Sequence, residues 1–115
     1  MSNFIFVYGS LKRGFSNHFL LENSKFLGEF ITDPEYKMIS LGYFPGVILE
    51  GNTSIYGEIY EVDTDTFKRL DTLEGYPSFY DRVEIETDYG NTWMYYLKNL
   101  KGIYRVVEDG IWKHG

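Results

Sequence analysis

A carboxylate placed where a helix should bury an apolar side chain is the first feature of this sequence that points to chemistry. The stretch D-T-D-T-F-K-R-L-D-T-L-E-G, residues 63–75, reads as a helix started by Asp63 or Asp65 and stopped at Gly75, with Pro77 beyond it. At about 100° per residue, with Phe67 as origin, Leu70 falls near 300° and Leu73 near 240°, so the buried stripe centres on Leu70. Glu74 lands at roughly 340°, inside that stripe, and Asp71 at roughly 40°, on its flank. Lys68 and Arg69 point outward. Glu74 is therefore aimed at the interior, in the last turn, where the helix dipole disfavours negative charge. Burial and dipole both raise a carboxyl pKa, which suits a general acid/base working near neutral pH. The same position also fits a Glu that reaches solvent at a frayed helix end or pairs with Arg82.

The second candidate is the loop V-Y-G-S-L-K-R-G at residues 7–14. It follows an apolar strand and matches the first half of a phosphate loop, G-x-x-x-x-G. The Lys that should follow Gly14 is Phe15, so nothing reaches a terminal phosphate and nucleotide binding is not expected. A Gly after a buried strand lets a ligand approach backbone N–H groups, which can hold an anion or a developing oxyanion. A plain turn is the alternative. Lys12 and Arg13 read as solvated residues at the rim. A nucleophile pair from Ser10 and His18 is a weaker option. His114 reads as a tail residue, and neither histidine has metal-ligand spacing. No H-E-x-x-H or G-x-S-x-G occurs.

These residues need elements to hold them. Strands are predicted at residues 4–8, 25–32, 35–40, 47–49, 54–62, 82–88 and 92–98. Turns are read at Asp33-Pro34, at residues 43–46, at residues 50–52 and at residues 89–91. A short helix capped by Ser16 or Asn17 runs to Leu21 or Glu22, and residues 103–112 pack as a last strand or ordered extension. The order β-α-β-β-β-β-α-β-β with short turns predicts an α+β fold. Its sheet is mixed or mostly antiparallel and barrel-like, with two short helices. The whole chain, residues 1–115, reads as one domain.

Composition narrows the partners. Of 115 residues, 19% are aromatic, including 11 Tyr and 9 Phe, so a sheet-rich fold with a Tyr-lined cavity is expected. A net charge of −6 repels phosphate backbones and makes nucleic acid an unsuitable partner. The absence of cysteine removes disulfides, thiol nucleophiles and Cys-based metal sites, and fits a reducing, cytoplasmic setting. No signal peptide and no membrane span are read from the sequence.

Taken in order, several stretches resemble the γ-glutamylcyclotransferase-like family. Residues 7–14 resemble its Y-G-[ST]-L-x-x-G signature, and residues 70–82, L-D-T-L-E-G-Y-P-S-F-Y-D-R, its L-D-x-x-E-G-x-P-x-x-Y-x-R block. Gly42-Tyr43-Phe44-Pro45-Gly46-Val47 is similar to its P-G turn, and Gly57-Glu58-Ile59-Tyr60-Glu61-Val62 to its G-E-[VIL]-Y-x-[VIL] strand. Trp93-Met94-Tyr95 is similar to the strand bearing a Tyr near the site, and Asp109-Gly110-Ile111-Trp112 to the terminal G-x-W element. Lys12-Arg13-Gly14 followed by Asn17-His18 looks most like the γ-glutamylamine cyclotransferase branch. The resemblance implies that Glu74 is the catalytic acid/base. It also implies that Tyr8, Gly9, Ser10 and Leu11 bind a γ-glutamyl group, with Tyr80 and Tyr95 in the pocket and Arg82 structural. The implied reaction forms 5-oxoproline and a free amine with no metal or other cofactor. The implied partner is a small-molecule γ-glutamyl substrate, and the chain is expected as a monomer or weak homodimer. A module that binds such a molecule without turning it over is the alternative.

Overall fold

The computed structural model describes residues 3–98, 102 and 104–113. Residue 103, the first of the predicted last extension, and His114 lie outside them. Strand β1 (Asn3–Val7) leads through a loop to a 3₁₀ turn at His18–Leu21, then β2 (Lys25–Ile31), β3 (Tyr36–Ser40), β4 (Pro45–Thr53) and β5 (Tyr56–Val62). Helix α1 (Thr64–Glu74) follows, then β6 (Asp81–Thr87), β7 (Gly90–Tyr96) and β8 (Arg105–Val106).

The strands form a five-stranded sheet in the order β2-β5-β1-β7-β6 and a three-stranded sheet in the order β4-β3-β8. Strand β1 pairs antiparallel with β5 and parallel with β7, so the larger sheet is mixed, and it places the end of β1 centrally. The fold is α+β, as expected, but it is not a closed barrel. Strand β4 pairs with β3 instead of extending the larger sheet, and β2 and β6 stay at opposite edges of it. One bond beside the ladders, from Leu97 N–H just past β7 to the Val47 carbonyl of β4 at 2.9 Å, links the two sheets.

Strand β1 is buried on both faces, which is why it reads as an unbroken apolar run. Ile5 and Val7 join one core with Phe67 and Leu70 of α1. Phe6 and Tyr8 join the other, with Met38, Val47, Ile59, Met94 and Trp112. Helix α1 has the ends the sequence predicts. The Asp63 side chain accepts from Thr66 N–H at 2.7 Å, and Gly75 closes the helix at φ 65°. The other expected helix is a correction. Residues 18–21 make one 3₁₀ turn, and Asn17, at its cap, makes no side-chain capping bond. The Asn17 amide instead donates to Ser10 Oγ at 2.9 Å. Among the described residues no helix is long and apolar enough to cross a membrane.

Candidate active site

The cap at Gly75 fixes where α1 ends, and its last residue is Glu74. Glu74 lines a cavity of about 340 Å³ between the end of β1, the loop after it, the turn into β4 and the end of α1. Phe67 and Leu70 are buried on the same helix, so the inward stripe drawn from the sequence extends to Glu74. Leu73, on the other edge of that stripe, is 40% exposed. Burial alone raises the Glu74 carboxyl to about 7.

Three buried tyrosines share the cavity wall with Glu74: Tyr8, Tyr80 and Tyr95. Each ring is buried, and burial is the main cause that pushes each phenol pKa up, with the charge of Glu74 adding to all three. Their hydroxyl protons are already engaged. Tyr8 donates to the Tyr95 carbonyl at 2.8 Å, Tyr80 to the Pro45 carbonyl at 2.5 Å, and Tyr95 to Asp71 Oδ1 at 2.7 Å. The phenols thus build a rigid wall whose oxygens can still accept a hydrogen bond.

The loop Gly9-Ser10-Leu11 forms another part of the wall. Its carbonyls are occupied: Gly9 accepts from Lys12 N–H at 3.1 Å, Ser10 from Asn17 N–H at 2.9 Å, and Leu11 from His18 Nδ1 at 2.9 Å. Its own N–H groups donate to no described protein atom. Gly9 is required by a close approach, since a Cβ there would stand 2.8 Å from the Pro45 ring. His18 is committed to the Leu11 carbonyl, and the Ser10 hydroxyl accepts from Asn17. The alternative Ser10–His18 pair is therefore not assembled.

Lys12 is not at a solvated rim. It is 3% exposed, donates from Nζ to the Trp112 carbonyl at 2.6 Å and lies over the Phe15 and Tyr56 rings. Burial lowers its pKa. Arg13 remains largely exposed, stacks on Phe26, and its N–H donates to buried Glu58 at 3.0 Å.

Sequence reasoning left two groups unassigned. Asp71 accepts from Arg82 Nε at 3.0 Å and Nη2 at 3.3 Å, as well as from Tyr95. The Arg82 guanidinium packs against Phe67, Tyr76 and Trp93 at 4.2–4.5 Å from their centroids. Asp71 precedes Glu74 by three residues; the sequence places it on the flank of the buried stripe and in the L-D-x-x-E-G-x-P-x-x-Y-x-R block, but gives it no role. The other group is Tyr43, Phe44 and Phe79 at the cavity mouth, aromatics in turns, where no periodicity marks them. Among the described residues no group of three or more His, Cys, Asp or Glu side chains is placed to hold a metal ion.

Residues 5–114 match the model of the family described as gamma-glutamyl cyclotransferase, AIG2-like. The chain belongs to that family. The gamma-glutamylcyclotransferase family protein YtfP of Escherichia coli is 39% identical over 94% of each chain. The solution structure of ytfP from Escherichia coli superposes with a TM-score of 0.77, covering 95% of both chains. The crystal structure of an uncharacterized protein from Pyrococcus horikoshii is 30% identical, covers 95% of this chain and 88% of that one, and gives a TM-score of 0.82. An AIG2-like protein from Mus musculus is 26% identical over 87% of this chain and 80% of its own, with a TM-score of 0.75. Membership of the gamma-glutamyl cyclotransferase family thus rests on matches along almost the whole chain.

Proposed function

We propose that the chain is a γ-glutamyl(amine) cyclotransferase, which converts a γ-glutamyl-amine or γ-glutamyl-amino acid to 5-oxoproline and free amine. One observation carries this reading. A carboxyl that burial moves to about 7 lines the same cavity as a loop whose three backbone N–H groups donate to no described protein atom. The substrate holds its own nucleophile, the α-amine, which attacks the γ-carbonyl carbon of the same molecule. A C–N bond forms to close the five-membered lactam, and the bond from that carbon to the leaving nitrogen breaks. The α-ammonium loses two protons along the way. The leaving nitrogen gains two and departs as an ammonium ion, so the reaction balances in protons. Glu74 takes the first proton and returns it to the leaving nitrogen, a task suited to a pKa near working pH. The N–H groups of Gly9, Ser10 and Leu11 stabilise the charge that develops on the γ-oxygen. The oxygens of Tyr8, Tyr80 and Tyr95 accept from the α-ammonium before it is deprotonated. Because the nucleophile is tethered, the cavity's further task is to hold the curled conformer.

The test is direct. Purified protein is incubated with γ-glutamyl-amines and γ-glutamyl dipeptides and assayed for 5-oxoproline, beside Glu74→Gln checked for fold by circular dichroism. Product from the native chain and none from a folded Glu74→Gln is the expected result. Absence of product from every γ-glutamyl compound, or an equally active Gln variant, removes the reading.

A further inference from the structure

Resting on the cyclotransferase reading, we propose that Glu58 is a positioning residue for the reaction, holding the far end of the loop whose backbone N–H groups form the cradle. Among the described residues Glu58 is the most deeply buried acid, 5% exposed, and the mechanism above does not use it. It lies on β5 opposite Val7, the last residue of β1, and on its other side opposite Glu29 of β2. A buried carboxylate and like charges facing each other on a sheet both cost stability. The partners that offset this cost belong mainly to the loop. Glu58 Oε1 accepts from Arg13 N–H at 3.0 Å and from the Tyr60 hydroxyl at 2.8 Å. Its charge also opposes the lowering of the Lys12 pKa that burial causes. The Arg13 guanidinium stays largely exposed, with Nε 3.9 Å from Oε2, so the closer bond is the one to the backbone.

The direction of the N–H groups changes along this loop. Those of Gly9, Ser10 and Leu11 donate to no described protein atom. Lys12 N–H turns back to the Gly9 carbonyl at 3.1 Å, and Arg13 N–H leaves the loop for β5. Arg13 is thus the first residue after the cradle whose N–H is held by another element, and fixing it limits how the peptide planes before it can rotate. Tyr60 carries the restraint to a second point. Its ring meets the His18 ring at 5.8 Å, and His18 Nδ1 donates to the Leu11 carbonyl at 2.9 Å. Arg13, His18, Glu58 and Tyr60 all lie outside the cavity wall, so they reach a substrate only through the loop. Donors aimed at a developing charge contribute mainly in the transition state, so a displaced cradle lowers kcat more than it raises KM. One carboxylate oxygen takes both bonds, so the role depends on the reach of that oxygen and not on its charge.

The experiment separates reach from charge. Glu58→Gln keeps Oε1 and loses the charge, whereas Glu58→Asp keeps the charge and draws it back by about 1.5 Å. Steady-state release of 5-oxoproline is measured with γ-glutamylmethylamine and γ-glutamylalanine as probes, and circular dichroism checks each fold. Glu58→Gln should stay within about threefold of the native kcat. Glu58→Asp should lose at least about 30-fold in kcat while KM changes by less than about threefold. Arg13→Ala, which retains the backbone N–H, should stay near the native kcat. A native kcat in Glu58→Asp overturns the proposal, as does a loss carried by KM alone. A folded but inactive Glu58→Gln beside an active Glu58→Asp assigns the role to charge and overturns it too. The native chain supplies a check that no variant's folding can spoil. Its Arg13 amide should exchange at least about 100-fold more slowly than in an unstructured peptide, and exchange at the unstructured rate overturns the proposal. Absence of product from the native chain removes the cyclotransferase reading and this role with it. In a chain that does form product, the variants and the Arg13 amide test Glu58 alone.

Discussion

Glu74 carries a stability cost whose pH dependence follows from its raised pKa. The carboxyl titrates at about 7 in the folded chain against 4.5 for a free one. Between those values the folded state binds more protons than the unfolded state, so stability is full below 4.5 and falls as pH rises toward 7. The loss reaches at most about 3 kcal/mol above that window. Glu74→Gln removes the charge and keeps the shape. In urea titrations it should therefore stabilise the chain at pH 8 by up to about 3 kcal/mol and change it little at pH 4. An equal loss of stability at both pH values would mean that the carboxylate is held by donors rather than merely buried. The same substitution should lower 5-oxoproline formation by at least about 100-fold. For the proposed reaction the acid limb of kcat/KM of the native chain should lie near 7 rather than 4.5, because the base must be ionised to act. A limb at the lower value would place the acting carboxylate in water. Glu74 was legible from the sequence because helical phase is a local property and an acid within an apolar stripe is visible in it. Its neighbours Tyr8, Tyr80 and Tyr95 lie on three different segments, and residue type alone could not tell that their protons are committed to Tyr95, Pro45 and Asp71.

The end of α1 is fixed against the larger sheet by Arg82 of β6. Its guanidinium forms a two-pronged pair with Asp71 and lies among Phe67, Tyr76 and Trp93. Tyr95 of β7 donates to the same Asp71. Asp71 and Glu74 are three positions apart, about one turn, so holding Asp71 sets the rotation that aims Glu74 into the cavity. Arg82→Lys keeps the charge but loses the planar fork and the stacking. It should cost about 1–3 kcal/mol in denaturation and lower kcat more than it raises KM, since Arg82 does not line the cavity. An unchanged kcat would show that this pair serves stability alone. The ends of α1 were readable because Asp63 and Gly75 act on the nearest turns. Strand β4 was not. The sequence predicts a strand at residues 47–49 and a turn at 50–52, whereas the strand runs Pro45–Thr53. The Glu50-Gly51-Asn52 bend lies within an irregularity where Tyr36 faces Thr53 and Lys37 faces Ile48. Pairing with β3 carries the strand through residues whose local composition signals a turn. The barrel expectation failed for a related reason, since short turns fix which strands are neighbours but not whether the sheet edges meet.

At the scale of the whole molecule, the loop behind the cavity is tied to the far end of the chain. Lys12 follows Leu11 directly, and its Nζ donates to the Trp112 carbonyl, 100 residues away in sequence. Trp112 is itself buried, packed in the core that holds Phe6 and Tyr8 of β1 and its extension. The cradle and the terminal segment therefore share one core, joined by a buried cation. Nothing local announces this. A Lys-Arg pair beside Gly14 has the composition of a solvated loop, and only the terminal segment crossing over the larger sheet supplies the carbonyl that makes burial of Lys12 tolerable. Lys12→Met keeps the apolar stem and removes the charged donor. Hydrogen exchange should then rise in residues 107–113 and in the loop at residues 9–12 together, with a loss of about 1–3 kcal/mol in stability. The coupled rise is the diagnostic outcome. If the terminal segment exchanges faster while the loop does not change, the Lys12 bond holds the chain end but does not brace the cradle. In that case the carbonyl bonds from Asn17 and His18 must set the geometry of Gly9-Ser10-Leu11 on their own. If both regions loosen, kcat/KM for 5-oxoproline should fall even though Lys12 lies outside the cavity wall. Donors aimed at a developing charge act only while they are held in place.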